Sequence, residues 1–320
     1  MAFPPSDHCD GVHFFNPDAP QAKGLLDVVR WKLTSRAAAW TPRTEDAPAT
    51  QPPRSIEDSR CQITFVNHST LLIQFAGHNI LTDPIWSERA SPLSWAGPRR
   101  FAPPGVKFED LPPIHTVLLS HNHYDHLDVP TLRRILAEHA PRFVVPLGVS
   151  MLLSRHGIRA EQELDWWQTS AGVTCLPARH FSARGLTDRN QTLWCSYWIT
   201  TPAGPVYFAA DTGFGSHFAQ IRSRLGKPCL ALLPIGAYKP EWFMSPVHMS
   251  PAQAVEAHEI LQPERSLGIH WGTFALADDG RDEPVRDLEL ALRAKPDLSP
   301  FQTLPNGGFI QLIAPAPGGP

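Results

Sequence analysis

The run Ser120-His121-Asn122-His123-Tyr124-Asp125-His126-Leu127-Asp128 constrains this chain more than any other stretch. It follows directly on the apolar residues 116–119, which read as a short buried strand. A strand end is rigid and the loop beyond it is free to curl. His121, His123, Asp125 and His126 can therefore converge on one point without the fixed spacing of a helix. Imidazole and carboxylate suit Zn²⁺, Fe²⁺ or Mn²⁺, and the run carries no thiolate that would select a softer ion.

Four residues cannot complete two metal sites, and three further strand ends offer partners. Leu176-Pro177-Ala178-Arg179-His180 brings His180, Phe208-Ala209-Ala210-Asp211-Thr212-Gly213 brings Asp211 before a glycine turn, and Gly268-Ile269-His270 brings His270. Each alone is a weak sign, since a lone His or Asp past a strand is commonly a hydrogen-bonded structural residue. Together, in this order after the first motif, they are a strong one.

The rest of the body supplies the frame. β-Branched and aromatic runs at 63–66, 71–75 and 80–82 predict strands, with Ala76-Gly77-His78-Asn79 turning the chain between the last two. Residues 143–145, 173–176, 193–200, 205–210 and 230–234 continue the series. Asp128 is expected to cap a helix with Leu132, Ile135 and Leu136 on one face. Ser250-Pro251-Ala252-Gln253 starts another as a capping box with proline in the first helical position. Strands alternating with helices, but with hairpins among them, predict a mixed α/β sandwich and not a doubly wound parallel sheet.

Residues 1–60 read as an N-terminal extension and 61–320 as the catalytic domain. Within the extension the first twenty residues are irregular. A helix is predicted over 22–40, with Leu26, Val29, Leu33, Ala37 and Trp40 on one face and Lys23, Arg30, Lys32 and Arg36 supplying charge. It is expected to pack on its own domain, with a membrane-surface role as the alternative. The Pro-rich, polar residues 41–60 follow as a linker.

Composition excludes several classes. A net charge of −3 argues against a nucleic-acid binder, which needs a basic surface. No apolar window is long enough for a membrane span, and the first twenty residues show no secretory signal, so a cytoplasmic protein is expected. The five cysteines are odd in number and never paired as Cys-x-x-Cys, which fits reduced, buried thiols.

The His-x-His-x-Asp-His pattern of residues 121–126, with His180, Asp211 and His270 after it, resembles the metallo-β-lactamase superfamily. The resemblance implies an αβ/βα four-layer sandwich of two mixed β-sheets flanked by helices, with two Zn²⁺ (or Fe²⁺ or Mn²⁺) at one edge. By it, His121, His123 and His180 hold one metal, Asp125, His126 and His270 the other, and Asp211 bridges them. The β-lactamases typically place a thiolate where Asp211 stands here, so phosphate-ester or lactone chemistry is implied instead.

Longer stretches are similar to the N-acylphosphatidylethanolamine-hydrolysing phospholipase D family: Thr82-Asp83-Pro84-Ile85-Trp86-Ser87, Gly97-Pro98-Arg99-Arg100-Phe101, Leu233-Pro234-Ile235-Gly236-Ala237-Tyr238, Glu241-Trp242-Phe243-Met244 and His270-Trp271-Gly272-Thr273-Phe274. That similarity implies a dinuclear zinc phosphodiesterase in which a metal-activated hydroxide attacks phosphorus, releasing an N-acylethanolamine and phosphatidic acid. Asp125, Asp211 and His248 are then the catalytic candidates, with His248 contacting the phosphate or protonating the leaving group. Tyr124, Tyr238, Trp242, Phe243 and His248 are the substrate-binding candidates, and Trp86, Trp95, Phe101 and Met244 extend the apolar loops. His68 is expected to be structural support, and Asp83 to orient a metal histidine through its ring N–H. A phospholipid substrate implies peripheral contact with the inner membrane face, and the family includes homodimers. Two alternatives stand beside this reading: a lactonase or phosphodiesterase for a small soluble phosphate ester, and a metal-binding or sensing protein without turnover.

Overall fold

In the computed structural model, which describes residues 2–18, 23–41, 50–57 and 59–314, the apolar runs become two sheets of seven strands each. The first sheet contains β1 (Arg60–Asn67), β2 (Thr70–Phe75), β3 (His78–Thr82), β4 (Thr116–Leu118), β5 (Arg142–Pro146), β6 (Gln162–Leu164) and, at its outer edge beside β1, β14 (Phe309–Ile313). The second contains β7 (Thr169–Ser170), β8 (Val173–Leu176), β9 (Ser196–Ile199), β10 (Val206–Phe208), β11 (Leu230–Pro234), β12 (Arg265–Ile269) and β13 (Phe301–Gln302). Both sheets follow the same plan. An antiparallel meander (β1–β2–β3; β7–β8–β9–β10) gives way to parallel strands (β3–β4–β5–β6; β10–β11–β12–β13).

Side-chain alternation explains the layers. In β2, Leu71 and Ile73 point into the core between the sheets, while Leu72 joins the apolar layer beneath α2 (Val129–His139) and α3 (Val149–Ser154). In β11, Leu230 and Leu232 face the same central core, while Ala231 and Leu233 pack towards α4 (His217–Leu225), α6 (Pro251–Leu261) and α7 (Glu283–Arg293). Strands buried on both faces read as nearly continuous apolar runs because neither side meets water. The result is the expected four layers, helix–sheet–sheet–helix.

Two helix starts differ in detail. Ser250 caps α6 as a full capping box, its hydroxyl accepting from the Gln253 N–H and the Gln253 side chain accepting from the Ser250 N–H. Asp128 is the N-cap of α2 but makes no side-chain cap bond; its carboxylate instead accepts from Ser87 N–H, Ser87 Oγ and Thr131 Oγ1. It fastens the loop after β3 to the helix. The four cysteines at 9, 61, 175 and 195 are buried and Cys229 is half-buried, all as free thiols.

The N-terminal region departs most from expectation. Cys9 and Phe14 belong to the core between the sheets, so residues 2–18 are built into the body. The helix predicted over 22–40 is α1 (Leu25–Thr34), shorter at both ends. Its exposed side carries Leu26, Val29 and Leu33, the residues expected to face inward, while Trp31 is buried. The reason is tertiary: Trp31 Nε1–H donates to Asp278, and its ring stacks on Phe243 of α5 (Glu241–Met244) with centroids 4.9 Å apart. Ser35, which ends the helix, also donates its hydroxyl to Asp278. Nine of the twenty residues of the predicted linker, 42–49 and 58, lie outside the described residues. No helix among the described residues is long and apolar enough to cross a membrane.

Candidate metal centre

The loops after β1, β3, β4, β8, β10 and β12 gather at one edge of the sandwich. The chain turns out of three of these strands through left-handed backbone at Asp83 (φ 36°), Ala210 (φ 52°) and His270 (φ 60°), and His68 after β1 shares it (φ 48°). Each such residue stores of order 1–3 kcal/mol unless it is glycine. Their concentration here means that surrounding packing holds an otherwise unfavourable set of turns. Gly236, just past β11, lets that loop lie against the site, since a Cβ there would sit 2.1 Å from the His270 carbonyl oxygen.

The expected ligands converge. His121 Nε2 lies 2.9 Å from His123 Nδ1, which lies 3.1 Å from His180 Nε2. Beside this trio, Asp211 Oδ2 stands 3.2 Å from His126 Nε2 and 3.0 Å from His270 Nε2. Asp125 Oδ2 is 3.3 Å from the first of these nitrogens and 3.5 Å from the second. Asp211 also comes within reach of His121 and His126 on one side and of His180 and His248 on the other, so it lies between the two groups.

These residues fit divalent cations by a test independent of the sequence pattern. His126 Nε2, His270 Nε2 and Asp211 Oδ1 are buried, surrounded by polar atoms, and without a hydrogen-bond partner. Buried polar atoms are rarely left so. The second ring nitrogens of His126, His121 and His180 are committed away from the centre, whereas His270 Nδ1 is unpartnered. Asp83 accepts from His126 Nδ1 at 2.8 Å and from the Ser120 hydroxyl at 2.6 Å, and Ser120 Oγ in turn lies 2.9 Å from His121 Nδ1. His180 Nδ1 donates to the Val247 carbonyl at 3.0 Å. Each bond turns an Nε2 lone pair inward, the outer support that metal-binding histidines require.

The electrostatics agree. Burial pushes His121 and His180 well below the usual imidazole value and His123 down to about 4, so these rings are neutral and have lone pairs to offer a cation. Burial also acts against charge on Asp125 and Asp211, yet His126 and its neighbours outweigh it and hold both carboxyls well below the usual range. In turn Asp211, Asp125 and Asp83 overcome burial at His126 and hold that ring well above its usual value, and His270 is raised to about 9. Two ionised carboxylates thus face positive charge in a dry cradle, a role that a dication fills once those imidazoles release their protons.

His68 is the residue that the sequence did not mark. Expected as support, it places Nε2 3.0 Å from Asp125 Oδ2 and its ring 4.0 Å from that of His270, inside the same ligand-type group as Asp125, His126 and His270. Its tight-turn position between two buried strands was the available signal. His248 is half-buried, with its Nδ1 enclosed and unpartnered and its ring 5.1 Å from that of His180; desolvation pushes it to about 4.

A cavity of about 320 Å³ opens on this cradle. It is lined by His123, Asp125, Asp211 and His248 of the cradle, by the apolar Val28, Trp31, Phe181, Phe243, Met244, Val247 and Leu276, and by Lys23 and Arg189. Phe243 and His248 are thus brought to the wall. Three substrate-binding candidates are placed elsewhere. Tyr238 is buried, its hydroxyl donating to Asp287 at 2.5 Å. Tyr124 lies under the Arg184 guanidinium (3.8 Å) and donates to the Arg184 carbonyl. Trp242 sits outside, edge-on to Phe243 and covered by Arg30 at 4.6 Å. In each case a polar or cationic neighbour claims the ring that apolar lining would have used. Trp86 likewise packs on Phe108 and Trp95 is exposed.

Comparison with known proteins agrees with this geometry. The family described as "Beta-lactamase superfamily domain" matches residues 78–271. An N-acyl-phosphatidylethanolamine-hydrolyzing phospholipase D of Caenorhabditis elegans is 39% identical over 251 residues, covering 73% of this chain and 70% of that protein. An uncharacterized protein of Mycobacterium tuberculosis is 40% identical over 272 residues, 82% of this chain and 72% of its own. Among solved structures, the metallo hydrolase Igni18 of Ignicoccus hospitalis superposes with a TM-score of 0.59 at 22% identity, over 79% of this chain and 98% of that one, a likeness of fold. With the ligand-bearing edge, the four layers and these relatives in agreement, the chain belongs to the metallo-β-lactamase superfamily, as a metal-dependent hydrolase related to the N-acyl-phosphatidylethanolamine-hydrolysing phospholipases D.

Proposed function

We propose that this protein is a dinuclear zinc phosphodiesterase that hydrolyses N-acylphosphatidylethanolamine-like phospholipids to an N-acylethanolamine and phosphatidic acid. The observation that carries the reading is the cavity: a hydrophilic cradle of His and Asp joined to an apolar sleeve of Val28, Trp31, Phe181, Phe243, Met244 and Leu276, with Lys23 and Arg189 also on the lining. A small soluble phosphate ester has no use for that sleeve, whereas a lipid chain does.

One metal would be held by His121, His123 and His180, a second by Asp125, His126 and His270 with His68 beside them, and Asp211 would serve both. Bound there, the cations supply Lewis acidity, making water nucleophilic at neutral pH and offsetting charge on the phosphoryl oxygens. The chain's own residues do the rest. Asp83 and Ser120 fix the orientation of His126 and His121. His248, neutral and unpartnered at the cavity wall, donates a hydrogen bond to a phosphoryl oxygen or to the departing oxygen. The outer face of α1, where Leu26 is 85% and Leu33 82% exposed among Arg30, Lys32 and Arg36, makes peripheral contact with an anionic bilayer.

The test incubates zinc-loaded protein with vesicles containing N-acylphosphatidylethanolamine and detects N-acylethanolamine and phosphatidic acid by mass spectrometry. Stoichiometric appearance of both products is expected. Cleavage of a soluble phosphodiester or a lactone with the vesicles left intact would overturn the lipid reading.

A further inference from the structure

The roof of the cavity comes from the N-terminal helix, and its attachment is unusually concentrated. Trp31 and Val28, one turn apart on the inner side of α1, line the apolar sleeve. Four bonds tie this stretch to residue 278: Asp278 Oδ1 accepts from Trp31 Nε1 (2.9 Å) and Ser35 Oγ (2.7 Å), Oδ2 accepts from the Arg36 N–H (3.4 Å), and the Asp278 carbonyl accepts from the Ala38 N–H (3.1 Å). Further contacts are aromatic or cationic: Trp31 against Phe243 and Arg30 over Trp242. At the other end of the helix, Arg189 donates to the Lys23 carbonyl at 3.0 Å. The roof is thus no part of either sheet, and its side-chain bonds to the body centre on Asp278, with Phe243, Trp242, Asp279 and Arg189 as the further partners.

We infer that α1 is the wall that grips the apolar chain of the substrate, with Trp31 and Val28 as specificity-determining residues and Asp278 as the positioning residue that sets them over the cavity. The inference rests on the lipid reading for the identity of the chain. An extended hydrocarbon leaving the cradle runs along one apolar wall in which Trp31 and Phe243 stack on each other and Val28, Met244 and Leu276 line the same cavity, and α1 supplies Trp31 and Val28 to that wall only while it is docked. Without α1 that part of the wall is lost, less apolar surface covers the chain, and the affinity gained per methylene falls. The inner cradle is untouched by the change, because none of its ligand-type residues bonds to α1 or to Asp278 among the described contacts.

The test uses the full chain, zinc-loaded, as wild type and as Trp31→Ala, Asp278→Ala and Asp278→Asn. Asparagine keeps the Oδ1 acceptor for Trp31 and Ser35 and is the rescue variant. Three readouts are taken: kcat and KM on N-acylphosphatidylethanolamines of short and long chain in detergent micelles, kcat on bis(4-nitrophenyl) phosphate, and calorimetric binding of N-acylethanolamines of increasing chain length. For Trp31→Ala and Asp278→Ala we expect KM on the long-chain lipid to rise about tenfold or more, which is 1.4 kcal/mol, with the gain in affinity per methylene flattened. For Asp278→Ala, which lies outside the cavity lining, turnover of the soluble diester should stay within about twofold of wild type, and Asp278→Asn should restore most of the lipid affinity. A parallel loss on lipid and soluble diester, or an unchanged chain-length series in both alanine variants, overturns the inference. If wild type cleaves no lipid at all, the phospholipase reading fails by itself, while the binding series still decides whether α1 holds an apolar chain.

Discussion

At the inner end of the cavity, the ligand-type side chains stand on loops just past strand ends, and several are fixed from behind by a hydrogen bond to another buried group, as His126 is by Asp83 and His180 by the Val247 carbonyl. At the outer end, Val28 and Trp31 come from a ten-residue helix whose opposite face is bare and whose attachment to the body runs largely through Asp278. The difference teaches that placing reactive groups and choosing a substrate are physically separate tasks here. The first needs strand-borne rigidity, and the second needs only a surface held at the right distance.

The contrast can be broken most severely at its inner end. Asp211→Asn removes one carboxylate charge from between His126 and His270 and should lower turnover about a thousandfold, with loss of bound metal by atomic emission; near-normal turnover would show that the cradle is not the reaction centre. Next, Asp83→Asn leaves the ligands in place but weakens the bond that orients His126, and metal affinity by competition with a chelating dye should fall about ten- to hundredfold. A smaller effect belongs to His217, whose Nε2 meets Thr212 beside Asp211. Burial, with Arg179 nearby, lowers its pKa from 6.5 to about 3. Between those values the unfolded chain takes up a proton that the folded chain refuses, so this contribution to stability is present above about pH 6.5 and is lost as pH falls. Urea unfolding of His217→Phe should therefore decline less steeply on acidification than wild type. The least effect is expected at the outer face: Leu26→Ser with Leu33→Ser should change stability by under about 0.5 kcal/mol while reducing sedimentation with anionic vesicles.

Legibility in the sequence followed the same division. Strands such as β2 and β11 were readable because both faces are buried and the residues stay apolar throughout. β6 and β7 were missed because Gln162-Glu163-Leu164 and Thr169-Ser170 are short and polar, and pair only at one end of each sheet. β14 was missed although its Phe309–Ile313 alternation is regular, since glycines precede it and its partner lies far back in the chain. The cradle was largely readable because its ligands follow strands in order. His68 escaped because a histidine in a tight turn has an ordinary structural explanation. The roof was misread for a plainer reason: amphipathicity states that a helix has two faces, not which one docks. Trp31 won that choice through Asp278 and Phe243, more than two hundred positions later in the chain.

The place of β14 has a consequence for synthesis. β1 pairs with it over Arg60↔Ile313 to Thr64↔Phe309, yet a ribosome releases the one long before the other. Throughout translation the flank of β1 therefore shows bare amides and carbonyls to its surroundings, an invitation to pair with a neighbouring nascent chain. Arrival of the late strand pairs that flank and passes the open edge to β14 itself, where Phe309 and Ile313 stand exposed.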